Sequence, residues 1–273
     1  MTALPRQLLL SFSAKAQVPR LRPGAVARRP NLLIRALRLA TALIVRAWLR
    51  AYHGLRLTGQ SNLPRAGSFV LVANHASHLD VLCLLAAIPL REMHRVYPTA
   101  SADYFYATPL RALMSSLLFN GLPFHRRHDD TSPDGRGIRA SLETCRALLA
   151  GDAVPGGAIL ILFPEGSRSC DGAVGPFKRG VGLMVAGTGV AVVPCRLEGT
   201  FEAMPKGCRF PRPRRIHLSI GTPRHYSNLR PGKAVARHVA QDLYDVVVGL
   251  TRRDGGSAPA DIPEDQPVAN LAA

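Results

Sequence analysis

No aspartate or glutamate precedes Asp80, although the same stretch carries twelve lysines and arginines, from Arg6 to Arg65. A chain segment of one sign is expected to rest against something anionic: phospholipid, nucleic acid or a phosphorylated substrate. Lysine is also scarce: Lys15, Lys178, Lys206 and Lys233 are the only four, so nearly all of the +17 net charge is arginine. The five cysteines (Cys83, Cys145, Cys170, Cys195 and Cys208) are an odd number with no C-x-x-C pair, which argues against a disulfide framework or a zinc ribbon. A reducing compartment fits that usage. Long apolar runs are missing too. Residues 1–30 offer only Leu8, Leu9 and Leu10, too little for a signal-peptide core. They are expected to form a basic, disordered arm, with an organellar targeting segment as the alternative. The longest uncharged run in residues 31–53 is seven residues, whereas a membrane span needs about 20.

What is present describes a globular protein. The chain has 273 residues, 47% apolar and 19% charged, enough for one core with extensions. Residues 31–53 have helical periodicity. Arg35, Arg38, Arg46 and Arg50 fall within an arc of about 120°. Leu33, Ile34, Leu37, Ala40, Ile44, Val45, Ala47 and Trp48 fill the other side, and Leu39 and Leu49 intrude on the basic arc. This pattern predicts an amphipathic helix in a membrane interface, with arginines at headgroup level and Trp48 as an anchor.

From residue 54 strand-like and helix-like segments alternate. Strands are expected at 69–73, 95–99, 158–163, 190–197 and 215–220. Helices are expected at 79–88, 110–119, 134–149, 181–187 and 233–250. The alternation implies an α/β fold: a single domain over 54–251, with a mixed, partly parallel sheet flanked by helices. Residues 252–273 turn to Gly, Ser, Pro, Ala and acids and are expected to be disordered.

Chemistry-bearing residues cluster where strands end. Asn74-His75-Ala76-Ser77-His78-Leu79-Asp80 puts His75 and Asp80 five positions apart across a strand-to-helix turn. A carboxylate on one imidazole nitrogen fixes the tautomer and leaves the other nitrogen free to take a proton. This is the orienting logic of a catalytic triad without its protein nucleophile. Phe163-Pro164-Glu165-Gly166-Ser167-Arg168-Ser169 follows the most apolar strand, and ligands bind at such carboxyl ends. Gly166 permits close backbone approach, Arg168 suits a phosphate, and Glu165 could accept a hydrogen bond from a substrate hydroxyl. Gly121-Leu122-Pro123-Phe124-His125-Arg126-Arg127 sets two arginines after a short apolar stretch, and Val192-Val193-Pro194-Cys195 closes another strand.

In this order the four pieces resemble the glycerolipid acyltransferases, the family of the 1-acylglycerol-3-phosphate acyltransferases and lysophospholipid acyltransferases. Residues 74–80 match the first block, His followed by four residues and Asp. Residues 121–126 are similar to the second, which ends in a phosphate-binding arginine. Residues 163–169 match the third, F-P-E-G-[ST]-R-S. Val193-Pro194-Cys195 resembles the fourth, where Cys195 departs from the usual Val or Ile. The resemblance implies an O-acyltransferase that moves a fatty acyl group from acyl-CoA or acyl carrier protein to the free hydroxyl of lysophosphatidate. His75 and Asp80 would be catalytic. Arg126 and Arg168 would hold the acceptor's phosphate, Glu165 and Gly166 would line its glycerol, and Ser167 and Lys178 would lie in the substrate site. Lysophosphatidylethanolamine, a lyso-aminolipid and glycerol 3-phosphate remain alternative acceptors. No cofactor or metal is implied, and the partners are a lysophospholipid, the thioester donor and a membrane surface on its cytoplasmic face.

Two other classes compete. His75-x-x-His78 with Asp80 lacks a third strong cluster for a metal. A nucleic-acid-binding or membrane-binding module without catalysis would explain the charge, yet no nucleic-acid motif accompanies it and aromatics are only 6%.

Overall fold

The computed structural model describes residues 32–101, 120–124, 138–150 and 154–250. Helix α1 (Leu32–His53) leads into strand β1 (Arg56–Thr58), then β2 (Phe69–Ala73) and α2 (Leu79–Ala87). A 3₁₀ segment precedes β3 (Val96–Ser101), followed by β4 (Leu122–Phe124), α3 (Ile138–Leu149) and β5 (Ile159–Leu162). The described residues continue through α4 (Gly180–Val185), β6 (Ala191–Glu198), α5 (Thr200–Ala203), β7 (His217–Ile220) and α6 (Lys233–Gly249).

The seven strands form one sheet in the order β1-β7-β6-β2-β5-β3-β4. Every pairing is parallel except β6 with β7. The mixed, mostly parallel α/β domain expected from the alternation is therefore present. Strand β2 lies at its centre with all five residues buried, as a Val-rich run should when covered on both faces. Its side chains alternate between two cores. Phe69, Leu71 and Ala73 join Ile159, Ile161, Val193 and the apolar side of α2. Val70 and Val72 join Leu160, Val192, Met184 and Leu243 on the side of α3, α4 and α6. At Gly182 a Cβ would stand 2.2 Å from the carbonyl oxygen of Ala236, so α4 and α6 meet backbone to backbone there.

Register does the rest of the positioning. Val72 pairs with Leu162 and Ala73 with Cys195. His75 and Glu165 each lie three residues beyond the first pair, so two neighbouring parallel strands deliver them to the same edge.

The expected strands and helices match within a few residues, apart from residues 110–119 and 134–137, which lie outside the described residues, as do residues 1–30 and 252–273. The three-residue strands β1 and β4 and the short helix α5 were not expected. Helix α1 is where expected, but several of the residues given membrane roles pack on the domain. Leu49 is completely buried, and Val45 and Trp48 pack on the first core. Trp48, expected as a membrane anchor, instead stacks on Tyr52 at 5.9 Å and meets the edge of His53 at 4.9 Å. Arg46, expected at headgroup level, turns inward and donates to the carbonyls of Leu85 and Ile88, the C-terminal end of α2. Cations at that end complement the helix dipole. The exposed side carries Leu32, Leu37, Leu39, Leu43 and Ile44 together with Arg35 and Arg50.

Candidate active site

The turn after β2 is built around Asp80. Its Oδ2 accepts three hydrogen bonds: from Nδ1 of His75 at 2.9 Å, and from the backbone N–H groups of Ala76 and Ser77 at 2.7 and 2.8 Å. Asp80 is fully buried in the first turn of α2, where the helix dipole favours an anion. With Nδ1–H donated to the carboxylate, the lone pair of His75 lies on Nε2. The imidazole stacks on Phe163, with centroids 4.1 Å apart and planes 18° from parallel. His75 is 8% exposed, so the ring is sheltered but still reaches solvent.

The loop after β5 braces this turn. Glu165 accepts the His75 N–H on Oε1 at 2.7 Å and the Gly175 N–H on Oε2 at 3.1 Å. The N–H of Ser169 in the same loop donates to the His75 carbonyl at 2.8 Å. Burial, with the nearby Asp80 charge, holds the Glu165 carboxyl above its ordinary range, and the two N–H donors and the positive charge of Arg196 offset this only in part. Gly166 takes φ +75°, and a Cβ there would come within 2.5 Å of Nζ of Lys178. Lys178 thus lies over the backbone of the loop, anchored by its own N–H to the Pro164 carbonyl at 3.0 Å. Ser167 is exposed and Arg168 half-buried. His78 is pushed down to about 4, first by burial, then by Arg168 and His75, so it is neutral at physiological pH with the Arg168 charge nearby.

Strand β6 supplies the third support. Asn74 clamps Leu197 with both ends of its amide, accepting from the N–H at 2.7 Å and donating to the carbonyl at 2.9 Å. Ser77 Oγ donates to the Met204 carbonyl at 2.8 Å.

The structure therefore brings together His75, Asp80, Glu165, Gly166, Arg168 and Lys178. Arg126 lies outside the described residues. Each oxygen of Glu165, expected along a substrate's glycerol, already holds one backbone N–H group. Asn74, Ser77, Phe163 and Arg196 join the site without having been assigned roles from sequence. Asn74 and Phe163 sit inside the matching blocks, so their positions were visible but their partners were not. Arg196 directly follows the fourth block, and its Nε and Nη1 are buried without a hydrogen-bond partner among the described residues. Among those residues no group of three or more His, Cys, Asp or Glu side chains is assembled to hold a metal.

A family model described as Acyltransferase matches residues 54–198, more than half of the chain and the span that holds this constellation. The chain belongs to the acyltransferase family. Among curated acyltransferases, it is 34% identical over 157 residues to a chloroplastic 1-acyl-sn-glycerol-3-phosphate acyltransferase of Brassica napus, covering 57% of this chain and 40% of that one. It is 26% identical over 184 residues to the alpha 1-acyl-sn-glycerol-3-phosphate acyltransferase of Mus musculus, covering 66% and 58%. The chain thus spans 40% to 58% of these relatives' lengths. The crystal structure of the 1-acyl-sn-glycerophosphate acyltransferase PlsC from Thermotoga maritima shares the acyltransferase fold, with a TM-score of 0.59 at 23% identity, covering 90% of this chain and 87% of that one.

Proposed function

We propose that the protein transfers a fatty acyl group from a thioester, acyl-CoA or acyl carrier protein, to the free hydroxyl of lysophosphatidate at a membrane surface. The observation that carries this reading is the Asp80-oriented imidazole of His75 at the carboxyl end of the central strand. Nε2 of His75 takes the proton from the acceptor hydroxyl as its oxygen attacks the thioester carbonyl. The tetrahedral adduct collapses, the C–S bond breaks, and the thiolate leaves to be protonated. General-base assistance of this kind contributes about 10²–10⁴-fold, and alignment of two bound substrates supplies much of the rest. A thiol of pKa ~8.5 is a far better leaving group than an alcohol, so no acyl-enzyme is needed and none of the five cysteines is asked to act as nucleophile.

Acceptor choice is supported by the relatives, which are named for acylating 1-acyl-sn-glycerol-3-phosphate, and by the cations Arg168 and Lys178 beside the histidine turn. Arg126 is assigned to the same phosphate on sequence alone. The membrane reading is supported by the exposed apolar arc of α1, where Ile44 is 69% exposed, although no helix among the described residues is long and apolar enough to cross a bilayer. The deciding experiment incubates the purified full chain with lysophosphatidate, lysophosphatidylethanolamine, a lyso-aminolipid and glycerol 3-phosphate, each with acyl-CoA and with acyl carrier protein, and reads products by mass spectrometry. Diacyl product from lysophosphatidate at the highest kcat/KM is expected; a higher kcat/KM on another acceptor reassigns the substrate.

A further inference from the structure

Resting on the membrane reading above, we infer that the loop of residues 205–215, between α5 and β7, is a second membrane-contact element that inserts Phe210 into an anionic phospholipid surface. Phe210 is 79% exposed, as much as any large apolar side chain among the described residues. Its neighbours Lys206, Arg209, Arg212, Arg214 and Arg215 are all exposed cations. No acid occurs between Glu202 and Asp242 to offset them. An aromatic ring ringed by cations and held out in water is poorly placed for a monomer in solution, and well matched to a headgroup layer carrying phosphates above an apolar interior.

The loop is mounted rigidly, which lowers the ordering cost of insertion. Pro211 and Pro213 restrict its backbone. The N–H of Arg212 donates to the Ala203 carbonyl at 2.7 Å. Tyr52 Oη, at the C-terminal end of α1, donates to the Pro211 carbonyl at 3.1 Å, and His53 Nδ1 lies 3.2 Å from the Arg214 carbonyl. The other end of the loop reaches the catalytic turn. Met204 holds Ser77, and Nζ of Lys206 is 4.0 Å from Sγ of Cys170, just past the loop that carries Arg168. One segment therefore joins the C-terminal end of α1 to the mouth of the site. Seated on a bilayer, it would bring that mouth to the surface from which a lysolipid enters. An acidic carrier protein would also be drawn to the arginines, but it offers no reason for Phe210 to stand free among them.

The test uses the full chain with Phe210→Trp in a Trp48→Phe background, so that the only indole reports on the loop. Vesicles of phosphatidylglycerol and phosphatidylcholine should shift its emission to the blue, and brominated acyl chains should quench it. Replacing Phe210 with Ser and Arg209, Arg212, Arg214 and Arg215 with Gln should weaken vesicle partitioning about tenfold or more, leaving turnover on a short-chain soluble acceptor unchanged. If the protein sediments with vesicles while the indole stays solvent-exposed and unquenched, the loop is no contact and α1 acts alone. Absence of sedimentation overturns the membrane reading and the loop with it. An unchanged partition with a raised KM for acyl carrier protein alone would mean that the arginines dock the carrier.

Discussion

The backbone N–H of His75 donates to Oε1 of Glu165 at 2.7 Å, so a carboxylate from the loop after β5 holds the main chain of the proposed base. The same carboxylate holds Gly175 through its other oxygen. Glu165 thereby ties the ends of two strands and a following loop into one unit, and in the proposed mechanism it would act through His75.

Glu165→Gln separates this positioning role from contact with the acceptor. The amide retains one acceptor but sets an NH₂ group against one of the two N–H donors. The loss of a charge-assisted bond there should cost about 1.5–3 kcal/mol of stability. Turnover should fall roughly tenfold or more as the histidine backbone loosens, with the acceptor KM nearly unchanged. Steady-state kinetics and thermal melts check this; a raised acceptor KM with normal kcat would return Glu165 to the substrate.

His75→Ala should lose about 10²-fold or more in turnover while staying folded at the assay temperature, although losing the bond to buried Asp80 and the stacking on Phe163 should lower its melting temperature. Asp80→Asn should lose less, because the amide oxygen can still accept from the N–H groups of Ala76 and Ser77. Near-normal transfer by His75→Ala, measured as thiol release, would remove the base from the mechanism.

His78 makes stability depend on pH. Its folded value is held at about 4 against an ordinary 6.5, by burial first and the Arg168 charge second. The unfolded chain therefore binds the proton more readily between these values, and stability falls as pH drops from 6.5 toward 4. After discounting for its partial exposure, the effect should be on the order of 1–2 kcal/mol. Melting temperatures at pH 7.5 and 4.5 should differ less for His78→Gln than for the wild type; an equal difference assigns the acid sensitivity to other groups.

Much of this site is visible in the chain as residue types at strand ends. The apolar run at 69–73 and the one ending at Leu162 identify buried strands, and the histidine and carboxylates follow them directly. What the chain does not display is which strands are neighbours. Glu165 turns inward only because β2 and β5 pair in the register Val72 to Leu162. The helical period of α1 was legible, but its orientation depended on the carbonyls of Leu85 and Ile88, which capture Arg46. Strands β1 and β4, three residues each, are too short to produce a period of two.

Arg168→Ala should raise the KM for a phosphorylated acceptor by roughly ten- to a hundredfold, the equivalent of about 1.5–3 kcal/mol for a charge-assisted contact. The thioester KM should move little. Movement of the donor KM alone would mean that Arg168 faces the donor and that the two substrates are exchanged in the proposed arrangement.

The last prediction separates the two faces of α1. Removing residues 1–53 altogether would delete Leu49, which is completely buried, together with the packing of Val45 and Trp48 on the first core. Such a deletion should unfold the domain and say nothing about membranes. Point substitutions avoid this. Arg46→Ala leaves the Leu85 and Ile88 carbonyls without their guanidinium and should lower stability by about 1–3 kcal/mol, with vesicle affinity per folded molecule unchanged. Leu37→Gln, Leu43→Gln and Ile44→Gln together alter only exposed positions, so the melting temperature should stay close to that of the wild type. Because each of these side chains would bury apolar surface in a bilayer interface, the triple variant should partition to anionic vesicles at least tenfold more weakly. It should also lose activity on vesicle-borne lysolipid while keeping it on a short-chain soluble acceptor. Equal activity loss on both acceptors would show that the arc serves the fold or the site, and the membrane assignment of α1 would fall.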